Sequence, residues 1–196
     1  MRVKDTQKEQ LIRKKTMELV VKHGFDGLSM HKLAKAANVS VNTIYLNFKN
    51  REDLLVQVYA GVIAKMEEQM LRNFHEDLDF AEGLRIQWKN RLEYYIKHPV
   101  EIHFIEQLRY SPLFEKAMGQ QGQKFALIQR KFCANAIEKK QLKPLTEEVY
   151  WAIAYAPLYQ LLKFNQQKRS MSGKKFALTE EKVKEALAQV LIALKP

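Results

Sequence analysis

Residues 38–51, "NVSVNTIYLNFKNR", decide how the rest of the chain is read. Placed on a helix at about 100° per residue, Val41, Ile44 and Phe48 share one face. Asn42, Thr43, Leu46 and Asn47 fall outside that face, with Tyr45 at its margin. Ser40 stands where an N-cap residue is wanted. Asn38 stands where the chain must turn sharply, and Asn is among the non-Gly residues that best tolerate positive φ. A helix "VNTIYLNF" is therefore expected, its apolar side held by the protein and its polar side presented to a partner.

Upstream, Thr6-Gln7-Lys8-Glu9 has the form of a capping box. Leu11, Ile12, Met17, Leu19 and Val20 follow at helical spacing as far as His23, and Gly24 suits a left-handed C-cap. Ser29 is an N-cap for a short helix "MHKLAKAA", whose inner face is Leu33, Ala34 and Ala37. Asn50-Arg51-Glu52-Asp53 caps a fourth helix continuing toward Leu71. Residues 5–72 thus read as three short helices and one long one. Two short helices joined by a turn of three to four residues form a helix-turn-helix, and Ala34 lets their axes approach closely.

The exposed face of the second of these helices combines amides, a hydroxyl and small apolar groups. Amides pair with adenine and methyl-bearing groups touch thymine, so such a face can read base edges in a major groove. The hydroxyls of Thr43 and Tyr45 suit phosphate oxygens, and Lys49 and Arg51 add charge. The chain has a formal net charge of +11. Residues 1–60 carry eleven Lys/Arg against six Asp/Glu, an excess per residue about twice that of the remainder. That balance favours nucleic acid or an acidic surface over small neutral partners.

At this point the sequence resembles the TetR family of transcriptional regulators. The resemblance rests on "GFDGLSMHKLAKAANVSVNTIYLNFKNREDLL", residues 24–55, with its Gly-Phe start, Leu-Ala pair, Val-Ser turn, Thr-Ile-Tyr core and Asp-Leu-Leu end. It departs from the family pattern at Asn38, where Gly is usual, and at Met30, where Thr often contacts phosphate; Ser29 or His31 takes that place here. The resemblance implies a homodimer on a near-palindromic double-stranded DNA operator, usually as a repressor released by a small effector. Its DNA contacts fall on Ser40, Val41, Asn42, Thr43, Tyr45 and Asn47, with Tyr45, Lys49 and Arg51 as phosphate candidates. The implied division is a DNA-binding domain over residues 1–50 and a ligand-binding and dimerisation domain over 51–196.

The remainder of the chain reads as longer helices: 81–97, 100–110, a short turn at 113–118, then 123–140, 147–165 and 180–194. Pro157 should kink the fifth of these by removing its bond to Ile153, and "NQQKRSMSGKKF" reads as a flexible loop. Only seven Gly and five Pro, and no alternating strand pattern, make the fold all-α. The family's dimer interface would use the last two long helices, and Val183, Leu187, Val190, Leu191 and Leu194 give the final one an apolar stripe.

Candidates for an apolar ligand site, suited to a small hydrophobic or aromatic effector, are Trp88, Tyr95, Phe104, Phe125, Trp151, Tyr155 and Tyr159, with His103 and Gln107 as polar members. His103, Glu106 and Arg109 recur at intervals of three and read more readily as an exposed ion-pair ladder than as ligand-orienting groups. An enzyme using His103 and Glu106 as acid and base would lack a nucleophile constellation, a phosphate-cradling loop and a metal cluster. Neither catalysis nor a cofactor is expected. A DNA-binding or architectural protein without an effector is the alternative, and a cavity in the body discriminates the two. Single Cys133 excludes an internal disulfide and fits a reducing cytoplasm. There is no run of about 18 apolar residues and no apolar core in "MRVKDTQKEQ", so neither a membrane span nor export is expected.

Overall fold

The structure is a computed structural model that describes residues 2–119 and 122–196. Among them are eleven helices and no strand beyond the single bridge Arg169–Lys175. The helices are α1 (Arg2–His23), α2 (Met30–Ala37), α3 (Val41–Tyr45), α4 (Arg51–Met70), α5 (Phe80–Lys97), α6 (Pro99–Arg109), α7 (Phe114–Ala117), α8 (Gln123–Glu138), α9 (Glu147–Ala154), α10 (Ala156–Gln167) and α11 (Glu180–Leu194). The all-α architecture agrees with the sequence reading.

The chain packs as two compact units. One holds residues 1–66 and 98–122, the other 67–97 and 123–196. The division falls inside α4, so packing groups α6 and α7 with the N-terminal helices. The expected boundary at residue 50 does not coincide with the edge of a compact unit.

In the first unit, Ile12, Thr16 and Val20 line the inner face of α1, all fully buried. The Thr16 hydroxyl is satisfied by donating to Ile12 O at 2.8 Å. Leu33, Ala34 and Ala37 of α2 and Ile44 of α3 join them, and α6 completes the core with Phe104, Ile105 and Leu108. Ser29 caps α2 by accepting from Lys32 N (3.2 Å), and Ser40 caps α3 by accepting from Thr43 N (3.0 Å). Between them Asn38 is left-handed at φ 52°, ψ 49°, and Val39 N–H reaches back to Ala34 O at 3.0 Å. That return bond closes α2 as a Schellman turn. At the start of α4, Asn50 accepts from Asp53 N (2.9 Å) while Asp53 accepts from Lys49 N (2.8 Å), a reciprocal cap.

Several boundaries differ from the sequence reading. Helix α1 begins at Arg2, ahead of Thr6, because nothing in residues 2–5 breaks a helix. Helix α3 ends at Tyr45 instead of Phe48. There the Asn47 side-chain amide donates to Thr43 O (3.1 Å), and Asn47 N turns to Ile44 O, so the last turn tightens. The "NQQKRSMSGKKF" segment is not all loop: Asn165–Gln167 belong to α10, and Ser170 N–Lys174 O and Phe176 N–Lys168 O bonds close a hairpin-like turn.

The second unit is built around Phe80, Leu84 and Trp88 of α5, Phe132 of α8, Tyr155 and Leu158, with Val190 and Leu194 from α11. Gly83 is required where α5 meets α8, since a Cβ there would lie 2.5 Å from the Phe132 ring. Trp88 Nε1 donates to Ala154 O (2.8 Å) and pegs α5 to α9. The expected interruption at Pro157 is a full break at Tyr155, separating α9 from α10.

Replacing Asn38 tests the turn. Asn38→Val should cost about 1–2 kcal/mol, the penalty of placing a β-branched side chain in the left-handed region, whereas Asn38→Gly should leave stability level or raise it. Urea unfolding reads both, and equal midpoints for Val and Asn would contradict the left-handed cap.

Candidate nucleic-acid interface and body pocket

The caps and core contacts fix which side of α3 is free. Ile44 and Phe48 are buried and Val41 is half-buried against the core. On the opposite side Asn42, Tyr45, Leu46, Asn47 and Lys49 are exposed, Leu46 at 78 %. An isoleucine-sized apolar residue left this open on a short helix suits contact with a thymine methyl. Among the sequence candidates, Ser40 and Thr43 hydrogen-bond each other through their hydroxyls at 2.8 Å, so they hold the helix start. Ser29 is occupied as the α2 cap, and His31 is exposed beside it.

Arg51 is placed differently from the sequence expectation of a free phosphate contact. Its Nη2 donates to Phe25 O and its buried Nε has no partner, so the side chain ties α4 to the turn after α1. Arg13 has a related structural role, bonding Glu9 (2.7 Å) and Gln57 O (2.8 Å). Lys49 is the basic residue left exposed at this edge.

In the second unit, an apolar pocket of about 380 Å³ opens among α8, α9 and the connector between them. Phe125, Trp151, Ile137 and Leu145 are among its walls. Its polar floor is Gln129, held by Tyr155 OH donating to Oε1 (3.1 Å) and by Nε2 donating to Tyr150 OH (3.3 Å). Of the sequence candidates, Phe125 and Trp151 line the pocket, and Tyr155 lies behind it. Tyr159 and Tyr95 extend the aromatic stack, with ring centroids 5.3 Å apart. Trp88 is a core peg. His103, Phe104 and Gln107 belong to the other unit: Phe104 is in the core, and Gln107 Nε2 donates to Val21 O at 3.4 Å. No ion pair joins His103, Glu106 and Arg109 among the described residues, so the expected ladder is not formed; Glu101 pairs with Lys65 instead, at 2.7 Å.

The sequence reading passed over Arg91. This residue is 1 % exposed, with its guanidinium 3.9 Å from the Tyr155 ring centroid and 5.4 Å from those of Phe125 and Trp151. Nε donates to Tyr159 OH at 3.1 Å, and Nη1 donates to the backbone and side-chain oxygens of Gln87. The signal was a charge within the buried face of α5, between Leu84, Trp88 and Tyr95. Among the described residues no carboxylate pairs with it. Burial pushes the Tyr155 phenol up, with the Arg91 charge opposing, and burial raises Tyr150 further and Cys133 as well. All three groups are neutral near pH 7, so none supplies a counter-charge. Cation–π contact contributes about 2 kcal/mol when desolvated, less than the several kcal/mol that burying an unpaired ion costs.

A helix-turn-helix with the outer side of its second helix exposed is the arrangement by which such motifs present a helix to a DNA groove. Residues 12–58 match the family described as bacterial regulatory proteins, tetR family. Over 100 residues the chain is 36 % identical to an uncharacterized HTH-type transcriptional regulator of Haemophilus influenzae, covering 51 % of this chain and 54 % of that protein. The match therefore spans about half the length of that curated relative. A TetR family transcription regulator from Marinobacter aquaeolei VT8 has the same fold, with a TM-score of 0.86 at 23 % identity over 100 % of this chain and 99 % of that one. A TetR-family transcriptional regulator from Haemophilus influenzae superposes with a TM-score of 0.78 at 26 % identity, over 97 % and 98 % of the two chains. The family match thus covers residues 12–58, and the chain as a whole has the fold of these TetR-family regulators. Among the described residues no helix is long and apolar enough to cross a membrane.

Asp53 gives the head a pH signature. The Lys49 N–H, and then the Gln57 amide, hold its carboxyl below the usual range. A depressed folded pKa contributes stability above the unfolded value, near 3.8, that is lost as pH falls through the lower folded one. Asp53→Asn should therefore flatten the acid side of the stability profile. An unchanged profile by circular dichroism would show that this cap does not titrate as described.

Proposed function

We propose that the protein is a dimeric transcriptional repressor that binds a near-palindromic operator and is released by a small-molecule effector. The observation that carries the DNA part is the division of α3: Ile44 and Phe48 buried, Asn42, Tyr45, Leu46 and Asn47 open to a major groove. In this reading Asn42 and Asn47 address base edges, Leu46 a thymine methyl, and Tyr45, Lys49 and His31 the flanking phosphates. Residues 1–50 carry the DNA contacts and residues 51–196 ligand binding and dimerisation. The protein works in the cytoplasm and performs no catalysis of its own.

The body pocket favours effector control over a regulator without a ligand, because about 380 Å³ of largely apolar space lies within the range of small-molecule sites. A structure with the same fold, AibR, was solved in complex with isovaleryl coenzyme A and operator DNA (TM-score 0.66, 15 % identity, covering 96 % of this chain and 98 % of that one). An effector acts here only through its differential affinity for the operator-competent and released states.

The dimer forms through the last two long helices. Val190 and Leu194 are buried by their own chain, whereas Val183, Leu187 and Leu191 are half-buried and Ile192 is 62 % exposed. That leaves an apolar strip for a second copy. Light scattering at micromolar concentration should give a dimer, and Leu187→Glu with Ile192→Glu should shift it toward monomer; a monomeric wild-type protein would overturn the assignment.

Binding to DNA flanking the protein's own gene tests the recognition surface. Asn42→Ala or Leu46→Ala should cost about 1–3 kcal/mol of specific binding. Lys49→Ala should weaken all sequences alike and lower the salt slope by about one, while Arg51→Ala should lower head stability. Unaltered specific affinity in both α3 variants would rule out α3 as the reading helix.

A further inference from the structure

We infer that the body pocket takes an organic anion, a carboxylate on a hydrocarbon chain, and that Arg91 is the charge that selects it. The inference rests on the ligand-responsive reading above and specifies the ligand's chemistry.

Arg91 is a buried cation with which no carboxylate pairs among the described residues. Its hydrogen bonds run from Nε and Nη1 to neutral oxygens, and Nη2 makes none among the described residues. Two carboxylates of the same unit have partners of their own: Glu67 accepts from Phe125 N at 2.6 Å, and Glu147 pairs with Arg130 at 3.2 Å. A buried charge held in this way is retained at a cost to the unliganded protein, and an incoming anion is the species that offsets it.

The position is right for that role. Phe125 and Trp151 line the pocket with their rings and also stand against the guanidinium, so Arg91 lies one aromatic layer behind the pocket wall. Tyr155 joins the two sites, with its ring over Arg91 and its hydroxyl on Gln129 at the pocket floor. An anionic head drawn to Gln129 and Tyr150 would face the Arg91 field through a low-dielectric wall, where charge–charge attraction is weakly screened. Ala126, Ala134, Ile137, Leu142 and Leu145 supply an apolar lining for the chain. The charged members of the pocket lining are Arg130, Lys143 and Glu147; Arg130 and Glu147 pair with each other at 3.2 Å, and Lys143 has no ion-pair partner among the described residues, so the lining carries a net positive charge.

Calorimetric titration of the full-length protein with octanoate, octan-1-ol and octylamine tests this, since the three share a chain and differ in head charge. Octanoate should bind at least about tenfold tighter than octanol, equivalent to about 1.4 kcal/mol, with octylamine weakest. In Arg91→Met the preference for octanoate should vanish while octanol affinity is retained, and the melting temperature of the unliganded variant should hold or rise. Arg91→Lys should keep part of the preference, which guards against a variant that fails to fold. Octanoyl-coenzyme A separates a free carboxylate from a thioester, and binding of that compound without octanoate would overturn the inference. Equal affinity for octanoate and octanol in the wild type, or a preference that survives in Arg91→Met, would also overturn it while leaving ligand control standing. Binding of none of the four would remove both readings.

Discussion

Between Ala37 and Ser40 the backbone leaves one helix and enters the next, and the left-handed turn at Asn38 makes that reversal possible. The turn places Val39 N–H on Ala34 O and sets Ser40 at the start of α3. Ile44 then joins Leu33, Ala34 and Ala37 in one core. The exposed row from Asn42 to Asn47 owes its direction to this crossing, because a helix of five residues has little stability of its own. The asparagine at 38 supplies the conformation that the family pattern usually assigns to glycine.

The two units use their polar groups differently. In the head, buried or half-buried polar side chains serve the frame: Thr16 closes on α1, Arg51 on Phe25 O, Arg13 on Gln57. Each bond gives a side-chain donor a backbone acceptor, and none of these side chains lies on the outer side of α3. In the body, Gln129, Tyr150, Tyr155 and Arg91 form a polar interior beside an apolar cavity. Phenols and thiol there are kept neutral by burial, and the guanidinium is the exception. A structure that needed only stability would more simply place a hydrophobic residue at position 91.

What was legible in the sequence was what depends on near neighbours. Caps at Ser29, Ser40 and Asn50, the left-handed residues Gly24 and Asn38, and the inward positions of α2 and α3 all follow from residues within four of each other. The end of α3 was missed because Asn47 takes a carbonyl through its side chain, a competition that periodicity does not reveal. The placement of α6 was missed for a different reason. Phe104 and Gln107 look like ligand-site residues by type, but which helix meets α1 is a long-range choice. Arg91 was visible as a charge inside an apolar stripe, yet its meaning depends on rings from α8, α9 and α10 that converge only in the fold.

The central claim is that the outward side of α3 reads DNA as one half of a two-fold pair. Selection of bound duplexes from a random pool by the full-length protein tests it most directly. The account predicts enrichment of an inverted repeat whose half-sites are centred about 34–36 Å apart, roughly one helical turn, or a multiple of that spacing, with Asn42→Ala and Leu46→Ala changing the bases recovered. Recovery of no common sequence, or the same sequence with both substitutions in place, would contradict it.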